Sequence, residues 1–310
     1  MLDGLCVVAR QVAVLFALIG VGFLCNRRRL LSEASVKGIV EVLMLVVTPC
    51  VIVHAFQRPF DRRLVQGLGW ALGAAVFAHA LGIAAASLFR QGDRARRSVL
   101  RFATTFSNAG FMGIPLEQAL LGDDGVFFGA VYVAVFNVVC WSWGLVTMCG
   151  RMDEVRARTL LVNPGTVGIA CGLPFFLFSL TLPAALGEPV KMLADLNTPL
   201  AMIVIGYYLA DASFAAALRS GAAWAVAFLR LAALPCVVLG ALWLCRPPDG
   251  TMAVAIVTAA SAPCAALTTV FAAKYDRDVS LSVGIVSGTT LLSVLTMPPI
   301  VGLAIWLFGK

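Results

Sequence analysis

The residues best placed to do chemistry in this chain are mostly uncharged. Phe106-Ser107-Asn108-Ala109-Gly110-Phe111-Met112-Gly113-Ile114-Pro115-Leu116-Glu117 places a hydroxyl, an amide, two glycines, a proline and an acid between apolar flanks. Pro115 lacks an amide hydrogen and clashes with the preceding turn, and the glycines weaken the helix around it. A helix broken inside a bilayer frees N–H groups that can hold an anion and carbonyls that can hold a cation. Asn108 adds a donor and an acceptor at a smaller desolvation cost than a charge. The plainer reading is a proline kink with small residues for close helix packing.

A second stretch, Ser261-Ala262-Pro263-Cys264-Ala265-Ala266-Leu267-Thr268-Thr269, is less polar and has a single proline. Its hydroxyls at Ser261, Thr268 and Thr269 either cap freed backbone, contact a substrate or bond back to their own helix. Thr48 and Thr198, each followed by proline, and the mid-span amide Asn137 complete the set of polar pocket candidates. Candidates for proton or ion coupling are His54, Glu41, Asp195 and Glu117, because intramembrane ionisable groups are costly. His54 could equally be a neutral, hydrogen-bonded imidazole, and Glu41 could reach the interface. His79 is read as structural, and Arg230 as snorkelling toward the cytoplasm.

Enzyme signatures are absent: no HExxH, no GxSxG, no Walker A loop and no cluster of His, Cys and Asp. No metal, cofactor, catalytic residue or direct ATP drive is therefore expected. The nine cysteines have no metal-ligand spacing and read as small hydrophobes.

What must position these groups is a bundle of membrane helices. The 310 residues are 61% hydrophobic and 13% charged, with a mean hydropathy of +0.95. A soluble domain carries about 25% charged residues, and one soluble core could not bury so much apolar surface. This excludes disorder, a secreted disulfide scaffold and a nucleic-acid-binding domain as main readings. The formal charge of +7 is instead what basic cytoplasmic loops produce. Charge clusters divide the chain into ten predicted spans, at 5–26, 37–57, 65–89, 98–120, 125–149, 160–185, 193–212, 221–245, 251–274 and 279–307. The first is a retained span, since Arg27-Arg28-Arg29 follows its apolar run instead of preceding it. Trp143, Trp243 and Trp306 fall near span ends as interfacial anchors. Of the 23 basic residues, fifteen lie in the loops after spans 1, 3, 5, 7 and 9, and seven lie on the other side. The expectation is an inner-membrane protein with both termini outside.

Thr-Pro occurs only at 48–49 and 198–199, and intramembrane prolines recur at 115 and 263, offsets of 150 and 148. Two similar offsets of about half the chain suggest duplication, with 1–150 and 151–310 as the two repeats; the alternative is coincidence. Five spans per repeat is odd, so the second repeat must insert inverted, a pattern found in secondary transporters with a site at the repeat interface. A transporter of a small carboxylate is the leading reading. An integral-membrane enzyme using a pair such as Ser107 and His54, and a sensor, are the rivals from other classes.

The motif Asn108-x-x-x-Met112-Gly113-Ile114-Pro115-Leu116 resembles the fourth helix of the auxin efflux carrier family, which comprises plant PIN-type carriers and bacterial relatives described as malonate or malate transporters. Pro49 with His54, Asn137 with Trp141, Asn163-Pro164, Gly172-Leu173, Thr198-Pro199-Leu200-Ala201 with Gly206, and Val270-Phe271-Ala272-Ala273-Lys274-Tyr275 are similar to successive family landmarks. The resemblance implies an all-α fold of ten transmembrane helices in two inverted five-helix repeats, with broken crossover helices 4 and 9, like bile acid–sodium symporters. It implies a scaffold of helices 1, 2, 6 and 7 and a transport domain of helices 3–5 and 8–10 moving as an elevator. Asn108 would contact a carboxylate, helped by Ser107, Gly110, Gly113, Pro115 and Pro263. The implied partners are a small organic acid such as malonate, malate or an auxin-like acid, the bilayer, H+ or Na+ as coupling ion, and a second copy of the chain. A sodium-coupled symporter of the bile-acid type is the nearest rival mechanism. Two departures stand out: only Arg151 to Thr159 join the halves, and Thr268 stands where plant carriers place their crossover proline.

Overall fold

The computed structural model describes residues 2–90, 92–151, 164–210 and 220–309. The starts of span 6 and the end of span 7, with the joining segment 152–163, lie outside the described residues. Eleven helical segments follow in chain order: α1 Leu2–Arg27, α2 Glu33–Phe56, α3 Arg62–Ala86, α4 Arg94–Thr105, α5 Ala109–Cys149, α6 Pro164–Leu177, α7 Ala184–Ala210, α8 Gly221–Cys245, α9 Gly250–Ser261, α10 Leu267–Lys274 and α11 Val279–Phe308. Among the described residues, seven helices are long and apolar enough to cross a membrane. No strand forms among them, as expected where each segment must satisfy its own backbone in lipid.

Several helix starts are set by capping carboxylates. Asp93 accepts from the Ala95 amide, Asp249 from Met252 and Asp278 from Leu281. The Asp93 cap starts α4 at Arg94, four residues before the expected 98, because its first turn is basic and solvated instead of apolar. In the same way α7 begins at Ala184 rather than 193, its early turns carrying an exposed Lys191–Asp195 pair at 2.9 Å.

Three prolines leave the same mark. The wide turns Leu43–Val47, Ala109–Gly113 and Leu229–Ala233 each end two residues before a proline, Pro49, Pro115 and Pro235 respectively. Proline offers no N–H to the carbonyl four residues back, and the helix widens to reach the next donor. At the first of these the Thr48 hydroxyl joins its own amide on the Leu43 carbonyl, at 2.8 Å. Pro115 therefore sits inside continuous helix and does not make the break; the break lies earlier, at Phe106-Ser107-Asn108.

Gly122, at φ 64°, bends α5 sharply and separates a short first arm, 109–121, from a long second arm, 123–149. α1 and α7 approach backbone to backbone. A Cβ on Gly22 would lie 2.1 Å from the Ile203 carbonyl oxygen, and one on Gly206 would lie 1.9 Å from that of Ile19. Such small-residue contacts are how apolar helices associate when lipid offers no hydrophobic drive. α9 is short, and every residue from Met252 to Ser261 is buried. It packs against α3, α5, α8 and α11, which accounts for a helix apolar on all sides.

The basic loops gather at one end. Arg94 donates to the Cys149 carbonyl, Arg96 to the Ser220 hydroxyl at 2.6 Å, and Arg277 to the Met148 carbonyl at 2.7 Å. At other loops Arg58 pairs with Asp124 at 2.5 Å, and the Leu182 amide donates to Gln57. Trp243 and Trp306 are half exposed. Trp143 is part-buried, its ring 6.1 Å from that of Phe106.

Candidate functional site

α4 ends at Thr105 and α9 ends at Ser261, and the chain is extended beyond each. The two extended pieces run antiparallel and meet. The Asn108 amide donates to the Pro263 carbonyl at 2.7 Å, and the Ala265 amide donates to the Phe106 carbonyl at 2.9 Å. Four helix ends thus converge: the C-terminal ends of α4 and α9, and the N-terminal ends of α5 and α10. Each end leaves backbone groups without helical partners. Part of that need is met locally, for the Cys264 amide donates to the Thr289 hydroxyl at 3.2 Å.

A cavity of about 70 Å³ opens beside the crossing extended segments. Its polar lining comes from Thr48, Ser107, Asn108 and Asn137, and its apolar lining from residues such as Met44, Phe111 and Phe136. A second cavity of about 100 Å³ shares Asn108, Met44, Phe111 and Leu267 with the first. It continues between α2, α7, α10 and α11 along Val204, Ile205, Val270 and Thr290. Asn108 therefore stands at the junction of the two. It is 5% exposed, and its side-chain amide forms no hydrogen bond among the described residues. The amides of Ala109, Gly110 and Phe111 likewise find no acceptor there. No Asp, Glu, Lys, Arg or His lines either cavity.

The sequence candidates divide accordingly. Thr48, Ser107, Asn108, Gly110 and Asn137 are brought together around the first cavity. Asn137 donates to its own helix, to the Val133 carbonyl at 2.9 Å, which leaves its carbonyl oxygen for the cavity. Ser107 faces the Tyr132 hydroxyl at 3.4 Å. Gly113 and Pro115 are buried in the first arm of α5 beyond the lining. Pro263 serves as the backbone acceptor already described. Ser261 bonds back to Thr258 at 2.9 Å, and the Thr268 hydroxyl is buried without a partner among the described residues. Thr198 is half-buried on α7 outside both cavities.

Of the coupling candidates, Glu117 alone is enclosed. It is fully buried, and both carboxylate oxygens lack a partner among the described residues. Glu41 and Asp195 are exposed. His54 lies 3.9 Å from Asp123 in a surface hollow separate from the crossover cavity, so the His54–Ser107 pair does not form.

Two features were not legible in advance. Arg230 does not snorkel: it is 2% exposed, and its guanidinium donates to the carbonyls of Thr104, Thr105 and Ala260. A charge within an apolar span signals function, yet the sequence could not show that two helix ends wait beside it. Tyr132 and His79 form a buried aromatic pair behind Ser107, with ring centroids 4.9 Å apart; His79 Nδ1 donates to the Ala75 carbonyl at 2.7 Å, and its Nε2 is buried without a partner among the described residues.

A bundle of apolar helices, seven of them among the described residues long enough to cross a membrane, with two extended breaks meeting beside an internal cavity, is the architecture of an all-α membrane protein. The membrane transport protein family matches residues 7–301 of the 310, and the chain belongs to it, the auxin efflux carrier or PIN-like family. Its members are membrane transporters. No curated relative matches the chain.

Proposed function

We propose that the chain is a secondary transporter of a small monocarboxylate with an apolar body, bound at the crossover. The observation that carries this is the Asn108 side-chain amide, without a partner among the described residues, at a cavity lined also by Gly110 and Phe111, whose backbone amides have no acceptor among them, and by no acidic residue. Donors converge there, and the helix N-terminus adds a partial positive charge, so an anion gains most. A cation would find no carboxylate in the lining.

Size and polarity narrow the substrate. A water-sized group needs about 10–15 Å³ of such space, so the two cavities together hold on the order of ten such groups. That suits a small acid and is too little for a sterol-sized one. The second cavity is largely apolar and has no basic side chain, so a second carboxylate, as in malonate or malate, would be desolvated there without compensation.

Ten crossings, two inverted five-helix repeats and an elevator motion are part of this reading. Counting α4 with the first arm of α5 as one broken span, and α9 with α10 as another, gives ten. The break after Thr105 and the break after Ser261 then stand at corresponding places in the two halves. The basic loops that gather at one end support cytoplasmic placement of that end and both termini outside. Scaffold helices would be α1, α2, α6 and α7, and the close α1–α7 contact through Gly22 and Gly206 supports a static pair.

The test is uptake into proteoliposomes of labelled lactate, indole-3-acetate, malonate and malate, with imposed proton, sodium or electrical gradients and with none. Saturable uptake of a monocarboxylate above both dicarboxylates is the expected result. A preference for malonate or malate would overturn the substrate class. No uptake of any acid by folded, inserted protein would overturn the carboxylate reading.

A further inference from the structure

Arg230 and Glu117 are the two Arg, Lys, Asp or Glu side chains buried below one-tenth exposure among the described residues. Arg230 has no carboxylate within ion-pairing distance among them. Its guanidinium donates to backbone carbonyls, with the Tyr132 hydroxyl also beside it and Nε buried without a partner among the described residues. Nη1 lies 3.4 Å from the Thr104 carbonyl oxygen and 3.3 Å from that of Thr105, the last turn of α4. Nη2 donates to the Ala260 carbonyl in the last turn of α9. One side chain from a third helix thus closes both C-terminal ends at the crossover.

The charges balance. A helix C-terminus carries about half a negative charge, and two together carry about one. A single guanidinium neutralises them without a carboxylate, which is why an unpaired buried arginine is tolerated here. Half-helix C-termini of this kind are where cation-coupled transporters hold a free ion. With both negative ends closed, the field at the cavity is left to the opposite ends, the amides of α5 and α10, and favours an anion.

We propose that the paired ends of α4 and α9 form a binding site for a monovalent cation, filled by the tethered guanidinium of Arg230 in place of a diffusible coupling ion. The site itself stands on geometry alone; its consequence for transport rests on the function proposed above. It makes Arg230 a positioning residue, because it lines neither cavity and acts on them through the helix ends it holds and through Tyr132, which stands beside Ser107. The wide turn Leu229–Ala233 gives the side chain its approach.

The test uses the full-length Arg230→Ala protein in detergent, with no substrate. Its melting temperature should fall by roughly 5–10 °C, as for a broken buried charge interaction. Low-millimolar guanidinium or methylguanidinium should restore much of that loss, whereas K+ at equal ionic strength should not, and the wild type should respond to none of them. In proteoliposomes the wild type should exchange substrate equally in Na+ and K+, and guanidinium should speed exchange by the alanine variant. Guanidinium acting no better than K+ would overturn the site. So would a Na+-specific rise in the melting temperature of the wild type, a result available even if Arg230→Ala fails to fold. If guanidinium rescues stability but no acid is ever transported, the cation site holds and the carboxylate reading falls.

Discussion

Replacing Asn108 by alanine separates binding from folding. The side-chain amide makes no hydrogen bond among the described residues, so truncation removes no internal contact of that kind. The backbone bonds at this position survive in alanine: the amide to the Pro263 carbonyl at 2.7 Å, and the carbonyl accepting from Met112 at 2.9 Å. Asn108 precedes the first turn of α5 without a side-chain cap, so the usual cost of deleting a capping asparagine does not apply. The melting temperature should therefore move by less than about 2 °C. Binding is different. A hydrogen bond to a charged group contributes about 1.5–3 kcal/mol, which corresponds to a Kd weaker by roughly 10- to 150-fold. Asn108→Asp should be worse still, because it sets a second negative charge in a cavity whose lining has no basic side chain. The assay is equilibrium binding of the transported acid to purified protein, run beside thermal unfolding of the same samples. Unchanged affinity in Asn108→Ala would refute the site, and so would an affinity loss that merely tracks a collapse in melting temperature.

Other substitutions probe the frame and the coupling. Gly206→Val places a Cβ where the Ile19 carbonyl oxygen is 1.9 Å away, so α1 and α7 must separate, and thermal unfolding should show a loss of about 5 °C or more. Thr289→Val removes the acceptor for the buried Cys264 amide; an unsatisfied donor costs about 1–3 kcal/mol, and the melting temperature should fall while Thr289→Ser stays near wild type. Glu117→Gln should abolish any stimulation of uptake by a proton gradient while leaving exchange at equal pH on both sides, since no other carboxylate is buried among the described residues. His54→Ala should change stability by less than about 1 kcal/mol in chemical unfolding, because its partner Asp123 is half exposed and such pairs are weak.

Much of the frame was legible because the bilayer imposes a simple rule. Apolar runs of fixed length between charged loops read directly as helices, and the Gly-Pro-Asn stretch at 106–117 read as a weak place in one of them. Where boundaries were missed, at Arg94 and Ala184, charged early turns hid helix that continues beyond the apolar run. The position of the break was missed by several residues. Pro115 drew attention as the breaker, but a proline near a helix start can be absorbed by a wide turn, whereas Phe106–Asn108 is held extended by a bridge between Ser107 and Cys264, 157 residues apart in the chain.

The sequence by itself determined that this chain lives in a membrane, that it is helical throughout its spans, and that its polar groups are too few to be incidental. Those are consequences of composition and local chemistry, which each segment expresses alone. Tertiary structure decided which polar groups share a space. It joined Asn108 to the Pro263 backbone, turned Ser261 back onto its own helix, moved His54 to a surface hollow, and drew Arg230 inward to two carbonyl ends. The physical reason is that a buried polar group must find a partner, and in a bundle of broken helices the partners are backbone groups whose positions no single segment fixes.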